Sequence, residues 1–269
     1  MRRSLGGLIL LSSGVFFALA ISVFWLDRVA FTPEVDTDAT FAIMGDEDIR
    51  LQLGSVIAGA DASELGMSAN DLRQFVVSIS RIRDGATEMR QFTADAHALV
   101  IGDREEPVVI TANEQVQIVR TERAAVLPPI TLPVERVGAM AIIASTTTWI
   151  WLISFGLAVL TLLVGLILRP ERGEFAFALG TGLAATGALL FVIGYLVPAF
   201  VFPSVADDIW MGVFPQLAKH RQSVTWIGAL AFIAAGAAAV FLTGSSRQRR
   251  QRSTPLATSR YREQRRWTN

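Results

Sequence analysis

Residues 149–168 read WIWLISFGLAVLTLLVGLIL. Twenty residues without an ionisable side chain match the ~20 that a helix needs to cross a hydrocarbon layer of ~30 Å. Trp149 and Trp151 stand at one end of the run, where indole rings favour the membrane interface, and Arg169 closes the other. The stretch therefore predicts a membrane span. The preceding apolar residues 137–144 extend that span out of the bilayer or form an interfacial helix.

Working outward, three more runs of the same kind appear. Leu5–Trp25 is uncharged and follows Arg2 and Arg3. Its Ala18-Leu19-Ala20 has the form of a signal-peptidase site, but a signal h-region is usually 7–15 residues and this run is longer, so a retained span is expected. Phe175–Phe202, with Pro198 and Pro203 near its end, and Trp226–Thr243 complete the set. Only Arg169–Glu174 separate the second and third runs, which predicts a tight antiparallel hairpin. The chain thus divides into an N-terminal anchor (1–26), a domain (27–136), a three-span region (137–243) with a short loop at 204–224, and a tail (244–269). The expected fold class is membrane all-α: four transmembrane helices plus a small helix-rich domain with minor β.

Composition agrees. Hydrophobic residues make up 52% of the chain and are concentrated in blocks. The formal net charge of zero hides two opposed layers. Residues 1–4, 169–174 and 244–269 carry twelve arginines against three acids, whereas the segments on the opposite side carry 21 acids. Lys and Arg near span ends mark the cytoplasmic face. The expectation is a multi-pass plasma-membrane protein with both termini cytoplasmic and residues 27–136 extracytoplasmic. There is no Cys, so disulfides and thiol chemistry are excluded.

The spans contain no Asp, Glu, Lys, Arg or His. Pumps and ion-coupled transporters keep such groups at mid-membrane, so this absence argues against coupled transport. Gly180, Ala184 and Ala188 in the third span, and Ala231, Ala235 and Ala239 in the fourth, recur at four-residue spacing, with Gly228 and Gly236 nearby. Small residues allow helices to approach closely in lipid, which makes these six the expected helix-packing positions and leaves room for a homo-oligomer.

In the domain, Asp46 is placed to cap a helix carrying Ile49, Leu53, Val56 and Ile57, and Ser68 with Asp71 to cap one carrying Leu72, Phe75, Val76 and Ile79. Asp84-Gly85 reads as a break. Met89, Phe92, Ala96, Leu99 and Val100 form a third apolar stripe that Gly102 stops. Residues 107–111 look like a strand, 115–119 fit strand or an Asn113-capped helix, and 127–134 are extended. In the 204–224 loop, Ser204 and Asp207 resemble a capping box before a short amphipathic helix, with Trp210 and Phe214 suited to the membrane surface.

Candidate chemistry is sparse. His97, the domain's only histidine, has Asp95, Asp103, Glu105 and Glu106 near it in sequence. One His without ligand spacing reads better as a surface or helix-end residue than as a metal ligand or base. Asp36, Asp38, Asp46, Glu47 and Asp48 are clustered oxygens of the kind calcium uses, but acids at helix starts are the expected reading. No cofactor or nucleic-acid partner is expected. The tail's Arg247, Arg249, Arg250 and Arg252 are expected to contact anionic lipid, and Arg250-Gln251-Arg252-Ser253-Thr254 has the form of a basophilic kinase site.

Ala96-His97, Glu106-Pro107-Val108-Val109-Ile110, Leu127-Pro128-Pro129 with Leu132-Pro133-Val134, and Gly194-Tyr195-Leu196-Val197-Pro198 before Trp210 occur in that order. In these motifs the chain resembles a set of uncharacterised actinobacterial four-span integral membrane proteins with an extracytoplasmic domain between spans one and two. The resemblance carries no activity and no site residues. Three functions follow as expectations. The first is a non-catalytic envelope protein whose acidic outer domain meets a protein partner. The others are an accessory subunit of a membrane transport system and an envelope enzyme using His97 and nearby acids.

Overall fold

The computed structural model describes residues 2–168 and 172–252, with side chains defined within 5–168 and 173–242. Four helices are long and apolar enough to cross a membrane: α1 (Arg2–Ala30), α7 (Gly138–Ile167), α8 (Arg172–Phe191) with its continuation, and α10 (Gln222–Arg252). The domain between α1 and α7 is built from α2 (Thr37–Ile43), α3 (Glu47–Leu65), α4 (Ala69–Ser80), α5 (Arg83–Ile101) and α6 (Ala112–Val119). Two short strands, β1 (Val109–Ile110) and β2 (Ile130–Thr131), pair antiparallel with Ile110 opposite Ile130. A last helix, α9 (Val213–His220), lies between α8 and α10. The fold class is membrane all-α.

The four long helices stand in a row, α7–α1–α8–α10. The expected tight pairing of the second and third spans does not form, because α1 lies between them. Glycines make this order possible. A Cβ on Gly14 of α1 would lie 3.0 Å from the Cα of Gly182 on α8, and one on Gly165 of α7 would lie 2.7 Å from the Cδ2 of Leu10. Close backbone approach of this kind drives helix association in lipid, where burial from water does not. Ser13 Oγ donates to the Ala158 carbonyl at 2.8 Å, adding a hydrogen bond across α1 and α7.

At 1.5 Å per residue, α7 is ~45 Å long, well over the thickness of a hydrocarbon core. The excess lies at its N-terminal end. Met140 is fully buried, and Val137 N–H donates to the Val100 carbonyl at 3.3 Å. Residues 138–144 are therefore a continuation of the span into the domain rather than a separate interfacial helix.

Beyond Phe191 the third span continues as a π-helix, Val192–Val201, that contains Pro198. Pro has no N–H, and its ring clashes with the carbonyl four residues back in a regular α-helix. The wider π turn accommodates it, and it brings Gly194 so close to Trp25 that a Cβ would lie 2.6 Å from the indole Cδ1.

In the domain, acids and hydroxyls act as helix caps. Asp36 Oδ2 accepts from Asp38 N–H and Ala39 N–H, Asp46 Oδ1 from Asp48 N–H and Ile49 N–H, and Ser68 Oγ from Asp71 N–H. Thr111, not Asn113, caps α6, forming a capping box with Glu114. Gly85 does not break the chain. It lies in the first turn of α5, where a Cβ would sit 2.0 Å from the Ile79 carbonyl oxygen, so only glycine lets the α4–α5 joint close. Gly102 ends α5 in the left-handed conformation, at φ +82°.

The 204–224 loop differs most from expectation. Ser204 donates to the Val201 carbonyl, and Asp208 caps the 3₁₀ turn Ile209–Gly212. Trp210, Met211, Val213 and Phe214 are fully buried in the domain's core. They join Ile49, Leu53, Met89 and Phe92, together with Phe31 just past α1 and Met140 of α7. Trp210 and Phe214 are core residues rather than interfacial anchors, and one apolar core links the domain to the spans.

Candidate functional site

The α5 stripe carries His97 inward. It is 2% exposed, and its ring meets Phe214 edge-on at 5.8 Å. The Ala30 carbonyl can only accept, so the 2.9 Å contact is a bond from His97 Nε2–H to the last residue of α1. Helix ends leave carbonyls without intrahelical partners, and here a side chain from another helix supplies one. Burial lowers the imidazole pKa to about 4, with the bond to Ala30 and the nearby Glu34 acting in the opposite sense. The ring is neutral at pH 7, and the expectation of a surface or helix-end histidine is corrected: it is a core residue.

The acids expected near His97 lie among arginines instead. Asp95 pairs with Arg104 at 3.0 Å, Glu106 with Arg104 at 3.7 Å and Glu105 with Arg136 at 3.5 Å. Burial raises the Asp103 carboxyl above its ordinary value. The small crevice beside the ring is lined instead by Arg28, Glu34 and Arg221, and Arg221 pairs with Glu34 at 2.7 Å. Among the described residues no three His, Cys, Asp or Glu side chains come together as a metal site.

Of the expected helix-packing residues, the structure brings together Gly180, Ala184 and Ala239. A Cβ on Gly180 would lie 2.9 Å from the Gly236 carbonyl oxygen and 3.1 Å from Ala239 Cβ, and one on Gly236 would lie 2.6 Å from Ala184 N. Ala188, Ala231 and Ala235 are exposed. Their places in the contact are taken by Gly187 and Ala229, where a Cβ on Gly187 would lie 2.4 Å from the Ala229 carbonyl oxygen. One turn before Ala229, Trp25 Nε1–H donates to Thr225 Oγ1 at 2.9 Å. The backbone of α10 runs through Arg247, Arg249, Arg250 and Arg252, whose side chains lie outside the described set, as does the Ser253–Thr254 segment.

An open cleft of about 570 Å³ has no counterpart in the sequence motifs. It lies where α2, the start of α3, the α4–α5 joint and α9 meet. Its ionisable lining is Arg50, Arg81, Arg83, Lys219, His220 and Asp38. Arg50 is 8% exposed, and its Nη1 donates to the Met44 carbonyl. Its Nε is buried without a hydrogen-bond partner. Arg83 pairs with Asp38, while no described carboxylate pairs with Arg81 or Lys219. The positions come from four separate segments, so no local motif announced them. No family model, curated protein or solved structure matches the chain.

Proposed function

We propose that the protein is a non-catalytic component of the plasma membrane and cell envelope, in which the span row holds an acidic extracytoplasmic domain toward a protein partner. The observation that carries this reading is the shared core. Phe31, Met140, Phe202 and Phe214, from every segment that enters or leaves the domain at the spans, pack in one cluster with its helices. Such a joint fixes the domain's orientation relative to the membrane, which suits presentation of a surface. His97 serves that joint through Ala30, which supports a structural role for it over a catalytic one. The arginine bias of the termini and the 169–174 connection supports the orientation. The resemblance to actinobacterial four-span proteins belongs to the same reading.

Two experiments test it. A cysteine replacing Gly59, where an added Cβ meets open space, is expected to react with an impermeant maleimide on intact cells, while one replacing Ser259 reacts only after lysis. The reverse pattern overturns the orientation. A photo-crosslinking residue at exposed Glu64 is expected to trap a discrete protein adduct in native membranes. Absence of any adduct from this and other exposed positions of the domain would remove the partner-presenting role.

A further inference from the structure

We propose that the cleft between α2, α3, the α4–α5 joint and α9 binds a phosphate group. Such a site is independent of which way the domain faces.

The cleft gathers cations in a part of the chain where acids prevail. Arg50, Arg81, Arg83 and Lys219 line it, and Lys219 is the chain's single lysine. Asp38 is the one acid in the lining, and it is engaged by Arg83. Unbalanced positive charge held in a concave site attracts anions more strongly than the same charges spread over a convex surface.

Arg50 adds a buried cation to the site. A guanidinium is always charged, and burying one is costly unless its donors are met. Arg50 is more than nine-tenths buried, with Nη1 satisfied by Met44 and Nε buried and unpaired. Arg50 also lines the cleft, so an anion seated there would offset its buried charge. Arg81 and Arg83 flank Ile82, the N-cap of the 19-residue helix α5, and no side chain caps that helix. The positive end of that helix dipole adds to the potential beside Arg81 and Arg83.

Phosphate fits this geometry better than a carboxylate. A single arginine fork satisfies a carboxylate, whereas cations approaching from α3, the α4–α5 joint and α9 match an anion with three or four acceptor oxygens. Two sources carry this chemistry: a phospholipid headgroup and a soluble phosphate ester. His220 precedes Gln222, the first residue of span α10, by two residues, so the cleft stands close to the point where the chain enters the membrane.

The test uses the full-length protein in an uncharged detergent and in nanodiscs. Glycerol phosphate is titrated calorimetrically in detergent, and phosphatidic acid is compared with phosphatidylcholine in nanodiscs by thermal melting. Saturable binding in the first arm identifies a soluble ester. A raised melting temperature with phosphatidic acid alone identifies a headgroup. The double variant Arg81→Ser/Lys219→Ser, at exposed positions, is expected to weaken binding at least tenfold with an unchanged circular dichroism spectrum. Arg123→Ser, exposed and outside the cleft, is expected to bind as the parent does, which separates the cleft from general charge. Arg50→Gln is a second, more disruptive variant. The proposal is overturned if neither arm shows binding, or if the double variant binds as tightly as the parent.

Discussion

His97 Nε2–H donates to the Ala30 carbonyl at 2.9 Å, so the core of the domain is tied to the final residue of a membrane span by one neutral imidazole. Protonation adds a charge to a fully buried ring. The folded state holds the pKa near 4 against 6.5 when unfolded, so the folded state binds fewer protons in that interval. Stability is complete above pH 6.5 and declines as pH falls toward 4, by about 3 kcal/mol in total. Melting of the solubilised protein between pH 7.5 and 4.5 should show this loss. Glu34 also faces the crevice, so the quantity to read is the difference between the parent and His97→Leu. Parallel pH curves for the two would refute the assignment.

Asp61 on α3 has the opposite sign. It is 1% exposed, Oδ2 has no hydrogen-bond partner, and burial raises its pKa. The folded state therefore holds its proton to higher pH than the unfolded chain does, and stability falls as pH rises through the folded pKa. Asp61→Asn should raise the melting temperature at pH 8 and leave it nearly unchanged at pH 4. Equal effects at both values would mean that ionisation plays no part.

Gly85→Ala is predicted to be among the most damaging single-methyl additions in the domain. The new Cβ would sit 2.0 Å from a backbone oxygen, which cannot move without opening the α4–α5 joint. A cost of about 3 kcal/mol is expected. Gly59→Ala, in open space within α3, should instead stabilise by about 0.5–1 kcal/mol through helix propensity. Urea titration of both variants checks the contrast, and equal midpoints would contradict it.

On the span row, Gly187→Val should destabilise by about 1–3 kcal/mol, because its Cβ meets the Ala229 carbonyl and Ile233. Ala231→Val, exposed on α10, should be neutral. Thermal inactivation in detergent distinguishes them. A larger loss from the Ala231 variant would show that the α8–α10 contact uses the other face.

Several local features were legible without coordinates because they depend on neighbours in sequence. Asp46 and Ser68 cap their helices because a short side-chain oxygen reaches amides two or three residues ahead. The α3, α4 and α5 stripes bury Ile49, Leu72 and Phe92 because a helical period puts them on one face. Where a side chain's partner lies far along the chain, local pattern does not reveal its place. Trp210 looked like an interfacial anchor because an indole suits the interface, yet its burial depends on α3 and α5 packing around it. Gly85 looked like a break because glycine interrupts helices, and the reason for it there is the carbonyl of Ile79.

Uncharged runs of about twenty residues establish membrane helices through composition alone, since a hydrocarbon layer excludes charge wherever the helix sits. The sequence by itself therefore determined the four spans and the helical domain between the first two. The order of the spans in the row, the face on which α8 meets α10, the burial of His97 and the gathering of Arg50, Arg81 and Lys219 were decided by tertiary structure. In lipid every span is apolar and so are the surrounding tails, so hydrophobicity does not choose neighbours. The choice falls to steric fit, such as Gly14 against Gly182, which exists only once both helices are in place.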